Sequence, residues 1–275
     1  MAAVSWIGVT STDVGTDSNY SSGADPASGD TVTWGTITPF GMGSGTFANA
    51  IHLNVTEGAG TATSRDVGTA ASPLTLSITL TTGVASFANR GNVYVTSGGT
   101  VAIAKFQMPN GGTAVLSGGT WTSLRPTNVK VQVGASAVVT NILSAGSDGE
   151  VATNATDLTS FRGSGKWTFN SRDIDDAWVH PEGILIMAGT SALDSVVYIS
   201  KGGTFNHQSS GTVAAADIQP GSLYTVQGNP SASATLTLAT IWTGGELLRA
   251  SAGFTLTVTT FDFIGPESVA GGLPS

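Results

Sequence analysis

The sequence predicts an all-β protein, and the architecture it favours is a right-handed parallel β-helix. Three observations support this prediction: the 275 residues include 37 Gly, apolar and polar residues alternate along most of the chain, and a Gly-Gly-Thr motif recurs. A β-sandwich or jelly roll is the alternative fold, because it is also built from short alternating strands.

The alternation of apolar and polar residues is the main evidence for strands. Side chains alternate across a β-strand, so a period of two places apolar residues on one face and mainly Thr or Ser on the other. Thr is β-branched and suits an exposed strand face without adding charge. We count about fifteen short strands of this kind, separated by turns rich in Gly, Asn, Ser and Pro. Clear examples are residues 51–55, 74–80, 129–133, 167–169 and 254–258.

The Gly-Gly-Thr motif suggests how the strands are stacked. It occurs at 97–100 and again at 117–120, with related copies at 110–113 and 201–204. A repeat of about 20 residues suits one coil of a parallel β-helix, with Gly at corners where φ is positive. The alternative is that Gly-Gly-Thr is ordinary turn sequence in a Gly-rich chain.

The composition argues against several other classes of protein. Charged residues make up 10% of the chain, and the longest stretch without Gly or Pro is residues 166–180, which is too short for a membrane-spanning helix of about 20 residues. The mean hydropathy of +0.18 favours a folded chain over a disordered one. A net charge of −8, with ten scattered Lys and Arg, disfavours nucleic-acid binding. The absence of Cys excludes disulfides.

The chain divides into a cap, a body and a tail. Residues 1–30 are rich in Gly, Ser, Thr and Asp and form the predicted N-terminal arm or cap. Residues 31–264 carry the strand alternation and form the predicted β-solenoid body. Residues 265–275 have no strand period and form a C-terminal tail. No basic stretch followed by an apolar core occurs at the N-terminus, so we expect no secretory signal.

The first thirty residues contain a series of short motifs. They are Trp6-Ile7-Gly8, Ser11-Thr12-Asp13, Asn19-Tyr20-Ser21-Ser22-Gly23, Pro26 and Asp30-Thr31-Val32. This series resembles the tryptophan-rich opening of many phage virion proteins and bacterial surface β-solenoids, in which W-x-G is followed by D-W, N-W-x-x-G, a Pro and D-x-V. Val14 and Tyr20 stand where that opening often has Trp.

The resemblance implies a structural protein of a bacteriophage virion. It would be a capsid decoration protein, a head fibre or a tail component, built as a stiff and commonly trimeric β scaffold. Its partners would be the major capsid protein or another virion protein, with no nucleic acid and no membrane. No catalytic residue and no cofactor follow from the resemblance. Two alternatives stay open: a tailspike-like β-helix that binds or cleaves polysaccharide, and a bacterial surface adhesin module.

The densest polar stretch of the chain lies at residues 172–182. Asp173, Asp175 and Asp176 are candidate ligands for Ca²⁺, and carboxylates at this density also suit glycoside cleavage. Ala177 stands where an EF-hand loop would have Gly, and the twelfth position lacks Glu. A solvated turn with local hydrogen bonds is therefore the favoured interpretation. For a polysaccharide-cleaving enzyme, Glu182 and Asp194 would complete the candidates.

Six tryptophans raise the hypothesis of carbohydrate stacking. Trp34 and Trp167 align with neighbouring apolar positions, which predicts that both lie in the core. Trp121 and Trp178 are the candidates for exposed aromatics that contact a glycan or a partner, although core packing is the favoured interpretation for them as well.

The three histidines lie far apart in the sequence, at positions 52, 180 and 207. His52 alternates with Ile51 and Leu53 and should point outward. The chain has no H-E-x-x-H motif and no G-x-S-x-G motif, so the local signatures of a zinc peptidase and of a serine hydrolase are both missing.

Overall fold

The computed structural model is a β-solenoid of about ten turns, which confirms the predicted fold class. It describes residues 2–43, 45–47, 49, 51–76, 79–109, 111–152, 158–226, 233–249 and 255–265. Within these residues the chain forms twenty strands and one 3₁₀ turn, Asp17–Asn19. Every pairing between the strands is parallel, whereas the alternative sandwich would pair its strands antiparallel.

The strands follow one another with short connections. They are β1 (Ala3–Ser5), β2 (Thr31–Trp34), β3 (His52–Val55), β4 (Leu74–Leu76), β5 (Thr79–Phe87), β6 (Val93–Phe106), β7 (Thr113–Pro126), β8 (Lys130–Ser144), β9 (Asp148–Val151), β10 (Leu158–Gly163), β11 (Lys166–Asn170), β12 (Ile174–Val179), β13 (Ile184–Ala188), β14 (Leu193–Ile199), β15 (Thr204–His207), β16 (Thr212–Ile218), β17 (Leu223–Val226), β18 (Ser233–Trp242), β19 (Glu246–Arg249) and β20 (Thr255–Ile264).

Two series of pairings run along the solenoid axis. The front sheet contains β1, β2, β3, β5, the second halves of β6, β7 and β8, and then β10, β12, β14, β16, β18 and β20. The rear sheet contains β4, the first halves of β6, β7 and β8, and then β9, β11, β13, β15, β17 and β19. Successive turns of the chain therefore add one strand to each sheet, about 4.8 Å further along the axis.

The Gly-Gly-Thr spacing corresponds to one turn of the solenoid. Thr100 in β6 pairs in register with Thr120 in β7, at the point where each strand passes from the rear sheet to the front sheet. Gly119 has a φ of +84°, and a Cβ there would lie 2.2 Å from the carbonyl oxygen of Ser97. This corner thus requires glycine both for its backbone conformation and for the close approach of the previous turn.

The core is a stack of equivalent inward positions from successive turns. Phe87 and Phe106 lie on neighbouring turns with their rings stacked at 5.3 Å and nearly parallel. In the rear sheet, the buried ring of Trp167 lies against Gly149, where a Cβ would come within 2.3 Å of the ring. One inward column of the front sheet consists of Ala104, Leu124, Ile142, Phe161, Ala177, Val197, Ala216 and Ala239, all buried.

Residues of the opening motifs close the N-terminal end of the solenoid. Trp6 and Tyr20 form an isolated antiparallel bridge, and their rings meet edge to face at 5.4 Å. The Trp6 indole Nε1 donates to the carbonyl oxygen of Phe40, and the Tyr20 hydroxyl donates to that of Val14. Burial raises the pKa of Tyr20, so its hydroxyl stays a neutral donor. Val14 and Tyr20, which stand where the tryptophan-rich opening often has Trp, are both buried.

The C-terminal end of the described stack is open. Strand β20 pairs with β18 on one side, and among the described residues no strand pairs with its other side. Its inward positions include Phe261, which is 36% exposed, and Phe263, which is 63% exposed. Their rings are parallel and 6.0 Å apart. Most of the predicted tail, residues 266–275, lies outside the described residues.

Candidate functional site

An outward column of the front sheet carries most of the distinctive surface residues of this protein. Because the strands are parallel and in register, one outward position of each turn lies directly above the same position of the turn before. We call this row the front column. From the N-terminal side it consists of Lys105, Arg125, Leu143, Arg162, Trp178, Tyr198 and Asp217.

Trp178 lies in the middle of the front column and is 38% exposed. The guanidinium carbon of Arg162, one turn before, is 4.4 Å from the centroid of the indole ring, which is cation–π geometry. Tyr198, one turn after, is 36% exposed and meets the indole edge to face at 5.3 Å. Neighbours on both sides therefore orient the Trp178 ring while leaving part of it accessible.

Two shallow clefts flank Trp178, and its side chain lines both of them. Each has a volume of about 450 Å³. The cleft on the N-terminal side is lined by Leu143, Ser144, Ala145, Arg162, Ser164 and His180. The cleft on the C-terminal side is lined by Tyr198, Ser200, Lys201, Gln219 and Pro220. We call the two clefts together the Trp178 groove; it follows the corner where the strands of the front sheet end.

The charges lining the groove are positive. Arg162 and Lys201 contribute cationic side chains, and no carboxylate occurs among the described residues that line either cleft. Two acidic groups beside the lining residues have partners of their own. Asp176 Oδ2 lies 3.9 Å from Arg162 Nη2, and Asp217 Oδ1 accepts hydrogen bonds from Gln219 Nε2 and from the Trp242 indole at 2.7 Å.

The three aspartates predicted as metal candidates do not form a metal site. Asp173 Oδ1 accepts a hydrogen bond from the backbone N–H of Ala192 on the next turn. Asp175 and Asp176 both face outward, because the pairing of β12 with β14 shifts register between Ile174 and Ala177. Within the described residues, no three His, Asp or Glu side chains are grouped closely enough to hold a metal ion.

The favoured interpretation of this stretch as a solvated turn is wrong in part. Residues 174–179 form strand β12, and the hydrogen bond of Asp173 reaches a neighbouring turn of the solenoid rather than its own loop. The reason is the apolar spacing of Ile174, Ala177 and Val179, whose side chains all enter the core. Burial of these three side chains fixes the segment as a strand despite its charge.

The structure separates the two tryptophans that were candidates for surface contacts. Trp121 is 0% exposed, and its indole Nε1 donates to the carbonyl oxygen of Gly118 at 2.9 Å. Core packing, the favoured interpretation for Trp121, is therefore confirmed, and Trp121 is not available for a surface contact. Trp178 is exposed, and its contact with a glycan or partner stays a prediction. The core positions predicted for Trp34 and Trp167 are confirmed.

The three histidines occupy different environments. His52 is half-buried on the outward face of β3, as predicted, and His180 is exposed beside the groove. His207 is fully buried: its Nε2 lies 3.0 Å from the carbonyl oxygen of Gly211, and its Nδ1 lies 2.7 Å from the Tyr224 hydroxyl. Burial lowers the pKa of His207 to about 4, although the hydrogen bond to Gly211 acts in the opposite direction.

Sequence reasoning found Trp178 but missed Arg162, Tyr198 and Lys201. These residues join Trp178 only because neighbouring turns stack in register, and the turns differ in length. Arg162 and Tyr198 pair in register with Trp178 on the neighbouring turns, whereas Lys201 lies in the connection after β14, and no local motif marks this grouping.

The described residues contain no helix with the length and apolar character needed to cross a membrane. Comparison of the chain with protein-family models, with curated proteins and with solved structures found no match. The fold, the groove and the opening motifs therefore carry the functional argument.

Proposed function

We propose that this protein is a structural component of a bacteriophage virion: a stiff rod that acts as a capsid decoration protein or fibre, and not as an enzyme. The observation that carries the proposal is the difference between the two ends of the solenoid. The N-terminal end is closed by a hydrogen-bonded cap with buried aromatic rings, whereas β20, the last described strand, presents exposed ones; β1 and β20 each pair with a single strand. A rod with one closed and one adhesive end is suited to attachment at a surface.

At the closed end, the side chains of Asn19 and Asp30 form hydrogen bonds within the cap. Asn19 is fully buried, and its side-chain amide bonds to backbone groups of Thr10, Ser11 and Asp13. Asp30 accepts hydrogen bonds from the backbone N–H groups of Ala2 and Ala27, and the first of these is the main cause of its lowered pKa. Backbone groups that are already bonded within the cap are not available to a strand of another chain.

The open end has the features of an attachment surface. Phe261 and Phe263 occupy inward positions with no further described turn above them. The ten residues of β20 include a single charged one, Asp262. A long strand edge with little charge is a template for pairing with another chain. In this proposal the edge and the two rings contact the major capsid protein or another virion protein.

The surface chemistry also supports a scaffold. Many outward strand positions are Thr or Ser, as at Thr31 and Thr33 of β2 and Thr120 and Thr122 of β7, and such residues place no charge beside the next turn about 4.8 Å away. Where charges do stack in the rear sheet, their signs alternate along Lys130, Asp148 and Lys166. The backbone N–H of Lys166 also donates to Asp148 Oδ1 at 2.7 Å. These features favour stable stacking of the turns. From the resemblance of the first thirty residues, the proposed oligomer is a homotrimer.

A census of purified particles tests the proposal. Quantitative mass spectrometry of gradient-purified virions should find peptides of this chain at a fixed ratio to the major capsid protein. A ratio near one identifies a decoration protein, and a few copies per particle identify a fibre. Absence from purified particles contradicts the proposal.

The attachment end is tested with the double substitution Phe261→Thr and Phe263→Thr. Thr preserves strand propensity while removing both rings. We expect occupancy on particles to fall about tenfold, as for loss of an aromatic anchor. Ile184→Thr is the matched control, because Ile184 is exposed on the rear sheet far from the end. If the double variant occupies particles as fully as Ile184→Thr does, the protein attaches through another surface.

A further inference from the structure

We propose that the Trp178 groove binds an acidic polysaccharide that runs along the solenoid axis. In this complex Trp178 and Tyr198 contact sugar rings, and Arg162 and Lys201 face the carboxylate or sulfate groups. The inference stands on the groove alone and does not depend on the role of the rod in a particle.

The aromatic residues are the first part of the argument. Trp6, Trp34, Trp121 and Trp167 are buried, whereas Trp178 is exposed beside an exposed Tyr198. The two rings hold each other in edge-to-face geometry, and Arg162 covers part of the indole. A rigid pair of accessible rings offers apolar surface to the faces of sugar rings and needs little reordering on binding.

The charge pattern is the second part. The chain has a net charge of −8, yet Arg162 and Lys201 line the groove without a lining carboxylate. The front column continues this positive character toward the N-terminal end through Arg125 and Lys105. A polyanion extended along the axis would meet successive cations at multiples of about 4.8 Å. A local positive stripe on an acidic protein favours an acidic ligand over a neutral one.

The shape of the groove is the third part. Its two clefts lie on either side of Trp178, so a ligand that fills both must extend across several turns. The rest of the lining combines hydroxyl and amide side chains from Ser144, Ser164, Ser200 and Gln219 with apolar side chains from Leu143, Ala145 and Pro220. The polar groups match the hydroxyls of a carbohydrate, and the apolar groups suit the faces of its rings.

Isothermal titration calorimetry with the full chain tests the proposal. The acidic probes are oligosaccharides of polygalacturonate, hyaluronan and heparan sulfate, and the neutral probes are cello-oligosaccharides and dextran. We expect binding of at least one acidic probe, weakening with added salt, and no binding of the neutral probes. Trp178→Ala and Lys201→Gln should each weaken that binding by about tenfold.

Two variants on the rear sheet serve as matched controls. Tyr94→Ala removes an outward aromatic and Lys130→Gln removes an exposed cation, and both should leave the affinity within about twofold. Lys201→Gln changes only an exposed side chain, so it tests the site even where Trp178→Ala lowers stability.

Three results would overturn the proposal. One is the absence of binding to every acidic probe, and another is equal binding of neutral and acidic probes. The third is that Trp178→Ala loses attachment to particles although the unmodified chain binds no glycan, which would mean that the groove binds a protein.

Discussion

His207 is a neutral imidazole buried between aromatic rings in the interior of the solenoid. A carbonyl oxygen can only accept a hydrogen bond, so the Nε2 that faces Gly211 carries the proton and Nδ1 accepts from the Tyr224 hydroxyl. Protonation of the ring would break the bond from Tyr224 and place a charge in a desolvated site. The lowered pKa of about 4 reflects this cost.

The pKa of His207 makes the stability of the protein depend on pH. An unfolded histidine titrates near 6.5, so between pH 6.5 and about 4 the unfolded chain binds more protons at this site than the folded chain does. Above pH 6.5 this site does not lower the free energy of unfolding. As the pH falls from 6.5 toward 4, the free energy of unfolding decreases by about 3 kcal/mol because of this site. Urea unfolding of the unmodified chain and of His207→Gln, at pH 7 and pH 4.5, should show a smaller pH effect in the variant.

The same pair of measurements on Asn54→Ala provides the control. Asn54 faces outward from β3 and has no titratable group, so its replacement should leave the pH dependence unchanged. Equal pH dependence in the unmodified chain and in His207→Gln would mean that His207 is not the titrating group.

Single residues also mark the limit of prediction from sequence. The period of two correctly places Trp34 and Trp167 in the core, because each lies within a regular strand. It does not settle the position of Trp121, which follows the Gly118–Gly119 corner where the register shifts. In β15 it places Phe205 and His207 on the same inward face, but it gives no sign that Asn206 between them is buried as well.

The N-terminal cap is the element whose side chains are most closely tied to its fold. The Asn19 side chain substitutes for strand pairing by bonding to the backbone of residues 10–13. Asn19→Ala leaves these buried backbone groups without partners, so we expect the free energy of unfolding to fall by about 2 kcal/mol or more. Chemical denaturation of the purified variant measures this loss.

Asn54→Ala is the comparison for the cap variant. Asn54 faces outward from β3, and its replacement should change stability by no more than about 0.5 kcal/mol. A similar loss in both variants would mean that the amide bonds of Asn19 add nothing specific to the cap.

Elements were predicted well where the chain is regular and less well at its charged stretch. The sequence indicated strands at 51–55 and 167–169, which correspond to β3 and β11. It indicated a turn at 172–182, although β12 occupies the middle of that stretch. Two outward charges, Asp175 and Asp176, obscured the apolar positions of β12, and only the stacking of neighbouring turns shows that these positions form part of the core.

At the scale of the whole molecule, the repeat length was the most informative sequence signal. It predicted that Thr100 and Thr120 occupy equivalent positions on consecutive turns, and they do. The groove was beyond such reasoning, because its lining comes from five strands and their turns. Their juxtaposition depends on turn lengths that are not constant along the chain.

A solenoid in which each turn contacts mainly its neighbours should not be equally stable along its length. Its stability is approximately a sum of terms for single turns and for the interfaces between them, so a terminal turn with one neighbour opens more easily than a central turn with two. Here the ends differ: β1 is held by the Trp6–Tyr20 cap, whereas β20 has one paired edge and exposed rings.

Hydrogen exchange followed by mass spectrometry should reveal this gradient. We expect the slowest exchange in β8 to β14, intermediate exchange in β1 and β2, and the fastest in β18 and β20, because Phe261 and Phe263 are exposed whereas Trp6 and Tyr20 are buried. Asn19→Ala should accelerate exchange in β1 and β2 while leaving β20 unchanged, since the perturbation decays over neighbouring turns. Uniform protection from β1 to β20 would contradict this expectation. It would mean that the rod opens only as one cooperative unit and that its two ends open with the same free energy.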